Sequence, residues 1–338
     1  MPVDIKRSNV LIKLLEGSTS LAVVSAFLKA RGLHHSAGSW QAMREGRLLP
    51  ALEQEKISNE DLEALVQESE EYGHQHVFLY TCSKAAASRM IDRVNVEREL
   101  TKRKQSHLLN ASRLVEQPSG VELVDVRWDT ARKDYQLTLK EVELRTYDKL
   151  IGTRQEGDEF LKVYKRETQR AVNLARLHID GSLELRLTSH RNSSKYENDI
   201  YKFFVRMEGL LTMTEFRELS LTPAKDYIWS HRRELAGSLR YADSTVRDAA
   251  GNLLQAAAGG KGMDLNEDEA VAGSLDRLRD EDEDSYCDTT NIYFKAGDEV
   301  SAETHVILSG EVNEFALPAN CTKADYEHVL AELKRFNS

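Results

Sequence analysis

Apolar residues recurring at three- and four-residue steps open the chain: Leu11, Leu14 and Leu15, then Leu21, Val24, Phe27 and Leu28. That spacing lines one face of a helix. Gly32 follows as a stop, where a left-handed C-terminal residue is wanted. A polar turn over residues 34–39 leads to a third helix carrying Trp40, Met43, Leu48 and Leu52. Pro50 within it lacks an N–H and crowds the turn before it, so a kink or an early stop near Leu49 is expected. Ser58 begins a fourth helix as its N-cap, with Glu60 and Asp61 in the first turn favoured by the helix dipole. Leu62, Leu65 and Val66 form its buried stripe. Residues 76–82 are rich in β-formers and predict a short strand. A helix from Ser83 follows, with Ala87, Met90, Ile91 and Val94 on one face, running out through Arg98, Lys102, Arg103 and Lys104.

From about residue 119 the period changes to two. Val124, Val126 and Trp128 alternate with charged residues, and residues 130–133 make a turn. Leu137 and Leu139 then shift phase to Val142 and Leu144, which predicts a β-bulge near Lys140. The clearest hairpin spans 175–187: Leu177 and Ile179 lead into Asp180-Gly181, and Leu183, Leu185 and Leu187 lead out. Asp-Gly suits a tight type I′ turn. The opposite face of this hairpin carries Arg176, Glu184 and Arg186, read as facing solvent or a partner. Ile200, Phe203, Phe204, Met207 and Leu211 mark a helix, and shorter helices reach about Ala236. Residues 250–284, Ala/Gly-rich and then acidic, are expected to be partly disordered or a loose helix over 265–279. Strands return at 291–295 and 304–317, and a capped helix covers 322–336.

The resulting fold class is α+β: a helical N-terminal domain followed by a mixed, mainly antiparallel β-sheet domain with flanking helices. At 338 residues the chain exceeds the roughly 250–300 that one core organises. The expected division is a helical domain at 1–82, a connector helix at 83–118, an α/β domain with the central hairpin at 119–249, an acidic linker at 250–284, and C-terminal strands and helix at 285–338. About fifty residues seldom support a core alone, so this last piece is expected to join the second domain's sheet.

Charge adds an asymmetry. Residues 1–250 hold 39 basic and 37 acidic side chains, whereas 251–338 hold 7 and 19, with the acids concentrated in 264–284. The plain reading is a solvated, self-repelling segment. The sharper one is an internal competitor with nucleic acid for a basic face. Cys82, Cys287 and Cys321 are too few and too scattered for a disulfide framework, which fits a reducing compartment. No run approaches the roughly 20 apolar residues of a membrane span, and charges stand where a signal peptide needs its apolar stretch. A cytoplasmic setting is expected, or a nuclear one in a eukaryote.

No P-loop, dinucleotide fingerprint, zincin or nucleophile-elbow motif is present. The glycine run at 259–262 has neither a strand before it nor a Ser or Thr after its lysine. His74, His76 and Cys82 lack further ligands for a metal, and no cofactor is implied. A metal-dependent nuclease would need converging carboxylates; Asp125, Asp129 and Glu141 with Lys140 come nearest, and Glu143 with Arg145 imitates the acid-x-lysine step. Ordinary cross-strand charge pairing explains them better. The more coherent pattern is basic. Lys162, Lys165, Arg166 and Arg170 cluster with Tyr164; Arg186, Arg191 and Lys195 come with His190 and Tyr196; Arg232 and Arg233 follow His231. Such cations gain from counterion release at phosphates.

Residues 27–48, through Leu28, Gly32-Leu33, Gly38-Ser39 and Arg47-Leu48, resemble the SAP family, a short helix-turn-helix module associated with DNA and chromatin. The stretch departs from that pattern at Trp40, where a lysine or arginine is usual, and in a second helix that runs on. In layout alone, helices and then a β-rich domain, the chain is also similar to the kinetochore subunits that read the centromeric nucleosome. The leading expectation is a non-enzymatic, nucleic-acid-associated protein. The alternatives are an assembly subunit with protein partners and a divergent nuclease.

Overall fold

A computed structural model describes residues 4–129, 135–191, 195–260, 262–308 and 311–338. The fold is α+β, with helices at the N-terminus and flanking an antiparallel sheet. Its strands are β1 (Gln75–Thr81), β2 (Glu122–Asp129), β3 (Gln136–Glu156), β4 (Glu159–His178), β5 (Ser182–Thr188), β6 (Arg217–Glu218), β7 (Leu239–Arg247), β8 (Leu253–Ala257), β9 (Tyr286–Phe294), β10 (Thr304–Leu308) and β11 (Glu314–Leu317). The chain forms two compact units and passes between them repeatedly. The first comprises Met1–Glu71, Val96–Ala175 and His190–Asn198; the second comprises Tyr72–Asn95, Arg176–Ser189 and Asp199–Ser338. This differs from the expected division at residue 82, because β1 is drawn into the second unit by pairing with β5 and β11. The turn expected at 130–133 and the lysine of the 259–262 run lie outside the described residues. Among the described residues no helix is long and apolar enough to cross a membrane.

In the first unit, helices Ile5–Ser18, Leu21–Ala30 and Asn59–Glu71 close over Leu11, Leu15, Val24, Leu28, Leu62 and Val66. Asp4 caps the first helix by accepting from the N–H groups of Lys6 and Arg7. Pro50 does not stop its helix. A widened π turn at Arg44–Leu48 precedes helix Leu49–Glu53, and Pro50 sits in the first turn of that helix, where a missing N–H is tolerated. The bulge expected near Lys140 is there, but the extra residue belongs to β2: Leu123 pairs with Glu141 and Asp125 with Lys140, leaving Val124 between them.

Beside that bulge lies a buried ion cluster. Lys140 Nζ is 2.7 Å from Glu70 and 3.6 Å from Glu71, Arg127 reaches Glu71 at 2.5 Å and also pairs with Asp125, and Arg170 pairs with Glu70. Burial disfavours the Lys140 ammonium, yet the two glutamates overcome this and raise its pKa.

The second unit orders its strands β5-β1-β11-β10-β9-β7-β8, with β6 against β1. Helices Thr222–Ser230, Glu269–Glu281 and Lys323–Phe336 bury Val77, Tyr241, Ile292, Phe294, Val306 and Phe315 in one core. The last helix carries a full capping box, Thr322 with Asp325. The C-terminal strands lie in this sheet, β9 pairing with β7. Of the two readings of 250–284, the helical one is met over Glu269–Glu281, capped by Asp268; the Ala/Gly-rich part before it forms β8, and the stretch buries Leu265, Ala272 and Leu275. The helix beginning after Ser83 ends at Ile91. Asp92 breaks it and caps a second helix, Arg93–Lys102, by accepting from Asn95, which leaves Val94 exposed rather than on the buried face.

The 175–187 hairpin is present, with a different turn. Gly181 has φ +98°, but Asp180 keeps a negative φ, and Gly181 N–H donates to His178 C=O at 3.0 Å. A wider loop closed by a left-handed glycine replaces the I′ turn. The larger correction concerns the charged face: Arg176, Glu184 and Arg186 are buried, not solvent-facing. Arg186 donates to Glu184 at 2.5 Å and lies 3.8 Å over the Tyr326 ring. The Tyr326 hydroxyl donates to Glu184 at 2.9 Å, His178 Nε2 sits 2.7 Å from the same carboxylate, and Arg176 donates to the Tyr72 hydroxyl at 3.0 Å. Alternation on the strand told the two faces apart. It did not tell which one was wet, because both are covered.

Candidate nucleic-acid interface

Strands β3 and β4 are far longer than the usual five or six residues. Their inner halves are buried, and from residue 144 outward both faces meet solvent. Residues 144–156 at about 3.4 Å each give a wet two-stranded ribbon on the order of 40 Å long, turning at Gly157. Tyr147 donates to Glu167 at 2.9 Å and Arg166 to Asp148 at 3.3 Å, which places the first pair on one face and the second on the other.

This ribbon gathers three of the six cations singled out in the first unit. Lys162, Lys165 and Arg166 stand exposed along β4, joined by Lys149 and Arg154 from β3. The cations themselves are exposed, and their carboxylate partners are exposed or half-buried: Lys149 and Lys165 each lie 3.7 Å from the half-buried Glu167, and Arg154 lies 2.8 Å from the exposed Glu156. Such pairs contribute roughly 0–1 kcal/mol, so phosphates can replace them at little cost. The Tyr147 hydroxyl holds the Glu167 carboxyl below its usual range, and the bond raises the Tyr147 pKa in return. Arg191 lies 4.8 Å over the Tyr147 ring, and with Asp148, Lys149, Leu150 and Tyr164 these two line an open hollow of about 470 Å³. Leu150, Ile151, Phe160 and Tyr164 are all at least half exposed. The tip is acidic, with Glu156, Asp158 and Glu159, so the cations occupy the stem.

The remaining expected contacts are placed elsewhere. Lys195 is exposed near the end of the first unit. Arg170 is held by Glu70 and is mostly buried. In the second unit Arg186 is fully enclosed, Arg232 is buried on Asp276, and only Arg233 is exposed, 3.0 Å from Glu269. Three of the nine sequence candidates are thus structural ion pairs. Lys149, Arg154 and Tyr147 were missed, because a strand wet on both faces shows no apolar alternation; only its run of β-formers could have extended the strand past Leu144.

The nuclease carboxylates do not converge. Asp125 pairs across from Lys140 and is bound by Arg127, while Glu141 points to the opposite face and accepts from Asn173 at 3.1 Å. Arg145 donates to Glu143 and to Asn173. His76 pairs with Glu314. Among the described residues no group of three or more His, Cys, Asp or Glu is placed to hold a metal. No protein-family model matches the sequence, and no curated protein is significantly similar to it.

Proposed function

We propose that this chain is a non-enzymatic, nucleic-acid-associated protein that contacts the phosphate backbone along the β3–β4 ribbon, in a cytoplasmic or nuclear setting. One observation carries the reading: a long solvent-exposed ribbon presents Lys149, Lys162, Lys165 and Arg166 beside exposed aromatic rings, with Arg191 stacked on Tyr147 from outside the ribbon. Ribbons of this width fit a nucleic-acid groove, cations on its walls bind without reading sequence, and rings add stacking. The SAP-like stretch at 27–48 supplies a second contact in this reading. The test is fluorescence polarisation with a labelled duplex over a salt series. Wild-type binding that weakens steeply with salt, with a shallower slope in a K162E/K165E/R166E variant and no change in R233E, is expected. Absence of binding at low salt, or equal binding by the triple variant, overturns it.

A second reading has its own support. Leu150, Ile151 and Phe160 expose apolar surface that water does not favour, as a protein partner's docking ribbon would. Loss of a co-purifying partner on F160A, with DNA affinity intact, would favour that alternative.

A further inference from the structure

Strand β8 ends the sheet of the second unit, and its far side is unpaired among the described strands. Sheet edges are templates for another strand, and proteins guard them with charge, proline, bulges or brevity. Edge strand β2 of the first unit follows this rule, with Glu122, Asp125, Arg127 and Asp129. β8 does not. Its sequence, Leu253-Leu254-Gln255-Ala256-Ala257, has no charge and no proline, its register on β7 runs without a bulge, and Leu253 and Leu254 are exposed at 55% and 38%.

The hydrogen-bond phase says which groups are free. Asp248 N–H donates to Asn252 C=O at 3.0 Å, and Ala258 N–H donates to Ala242 C=O at 2.8 Å. Even-numbered residues of β8 therefore face β7, and Leu253, Gln255 and Ala257 turn their N–H and C=O outward.

We infer that β8 pairs with β8 of a second copy of this chain, antiparallel about a two-fold axis through Gln255. In that register Leu253 meets Ala257 and Leu254 meets Ala256, a large side chain against a small one at each position. The two Gln255 amides face each other, and the outward groups of all three odd residues find partners. No like charges are opposed within the strand, and the contact is isologous, as a closed dimer requires. The self-complementary sizes single out a second copy over a foreign strand.

The test is light scattering on the full chain across a concentration series, beside Q255P and L253K. Proline at 255 removes an N–H that points away from β7, so the inner ladder is kept. L253K alters an exposed side chain and covers the case in which the proline variant fails to fold. Expected are a mass twice that of one chain for the wild type, the single-chain mass for L253K and for folded Q255P, and unchanged circular dichroism. Hydrogen exchange at the amides of residues 253, 255 and 257 should also slow as concentration rises. A monomer at every concentration overturns the inference. So does a dimer that L253K and folded Q255P leave intact.

Discussion

The Arg186 guanidinium carbon lies 3.8 Å from the centre of the Tyr326 ring, and neither side chain is exposed. The planar cation satisfies Glu184 on its edge and a ring on its face, an arrangement a lysine ammonium does not reproduce. Arg186→Met should strand Glu184 as a buried charge and cost about 3–5 kcal/mol. Arg186→Lys should recover little of this. Adding Glu184→Gln to Arg186→Met should recover more, because the uncompensated charge goes with it. Urea unfolding of the four proteins measures the coupling.

Acid should reach the same cluster. Burial pushes the Glu184 carboxyl up, but Arg186, the His178 contact and Arg176 outweigh it and hold the group well below 4.5. A depressed folded pKa gives stability that is present above the unfolded value and lost as pH falls through the folded one. The wild type should therefore lose more Tm than Glu184→Gln as pH drops below about 4.3, and the two should run parallel above about 5.5. Thermal melts from pH 7 down to about 2.5 check this window.

Glycine is required at one turn and merely convenient at another. At Gly181, φ is +98° and an added Cβ would stand 2.2 Å from the carbonyl oxygen of Cys82, whose N–H donates back to Gly181 C=O at 2.9 Å. Gly157 has φ +62° with open space around it. Gly181→Ala should cost on the order of 3 kcal/mol or more, and Gly157→Ala roughly 1 kcal/mol. Equal losses in denaturant melts would contradict the steric account.

Lys140 answers two buried glutamates in the first unit. Lys140→Met should destabilise by about 3 kcal/mol, and adding Glu70→Leu should give a total smaller than the sum of the two single losses, because the residues share one network. A double-mutant cycle in guanidinium reads this directly.

Cys287 is buried with its thiol pushed up to about 12, chiefly by burial and then by Asp226. Cys82 and Cys321 are partly exposed. Native alkylation at pH 8 followed by mass spectrometry should label Cys82 or Cys321 and spare Cys287 until the chain unfolds, since the thiolate is the reactive form.

Much of the fold was legible where one side of an element is wet. The stripes on Leu11, Leu15, Val24 and Leu62 and the hairpin at Gly181 follow directly from period and turn chemistry. Legibility failed at both extremes of solvation. Arg186 and Glu184 alternate as an outer face would, but that face is covered, and nothing local in the sequence announces the Tyr326 ring more than a hundred positions away. Residues 146–156 lack apolar alternation, so the β3 half of the ribbon with Lys149 and Arg154 is not legible, whereas Lys162, Lys165 and Arg166 on β4 stand out as a basic cluster. The helix Glu269–Glu281 answers the helical alternative for 265–279, since Ala272 and Leu275 fall on one face at a three-residue step, whereas the short strand β8 before it carries no apolar alternation.

Strand β1 carries a consequence for how the protein is made. Its neighbours are β5 and β11, and the His76–Glu314 contact spans 238 positions of sequence. During synthesis β1 leaves the ribosome long before β11 exists, so its apolar residues Val77, Phe78 and Leu79 must wait with one edge open. Pairings this distant form slowly and leave hydrophobic surface open to aggregation in the meantime. The nascent chain is therefore a natural client for a chaperone over most of its translation, and a ribosome stalled before codon 314 would release a product in which β1 has β5 on one side and lacks β11 on the other.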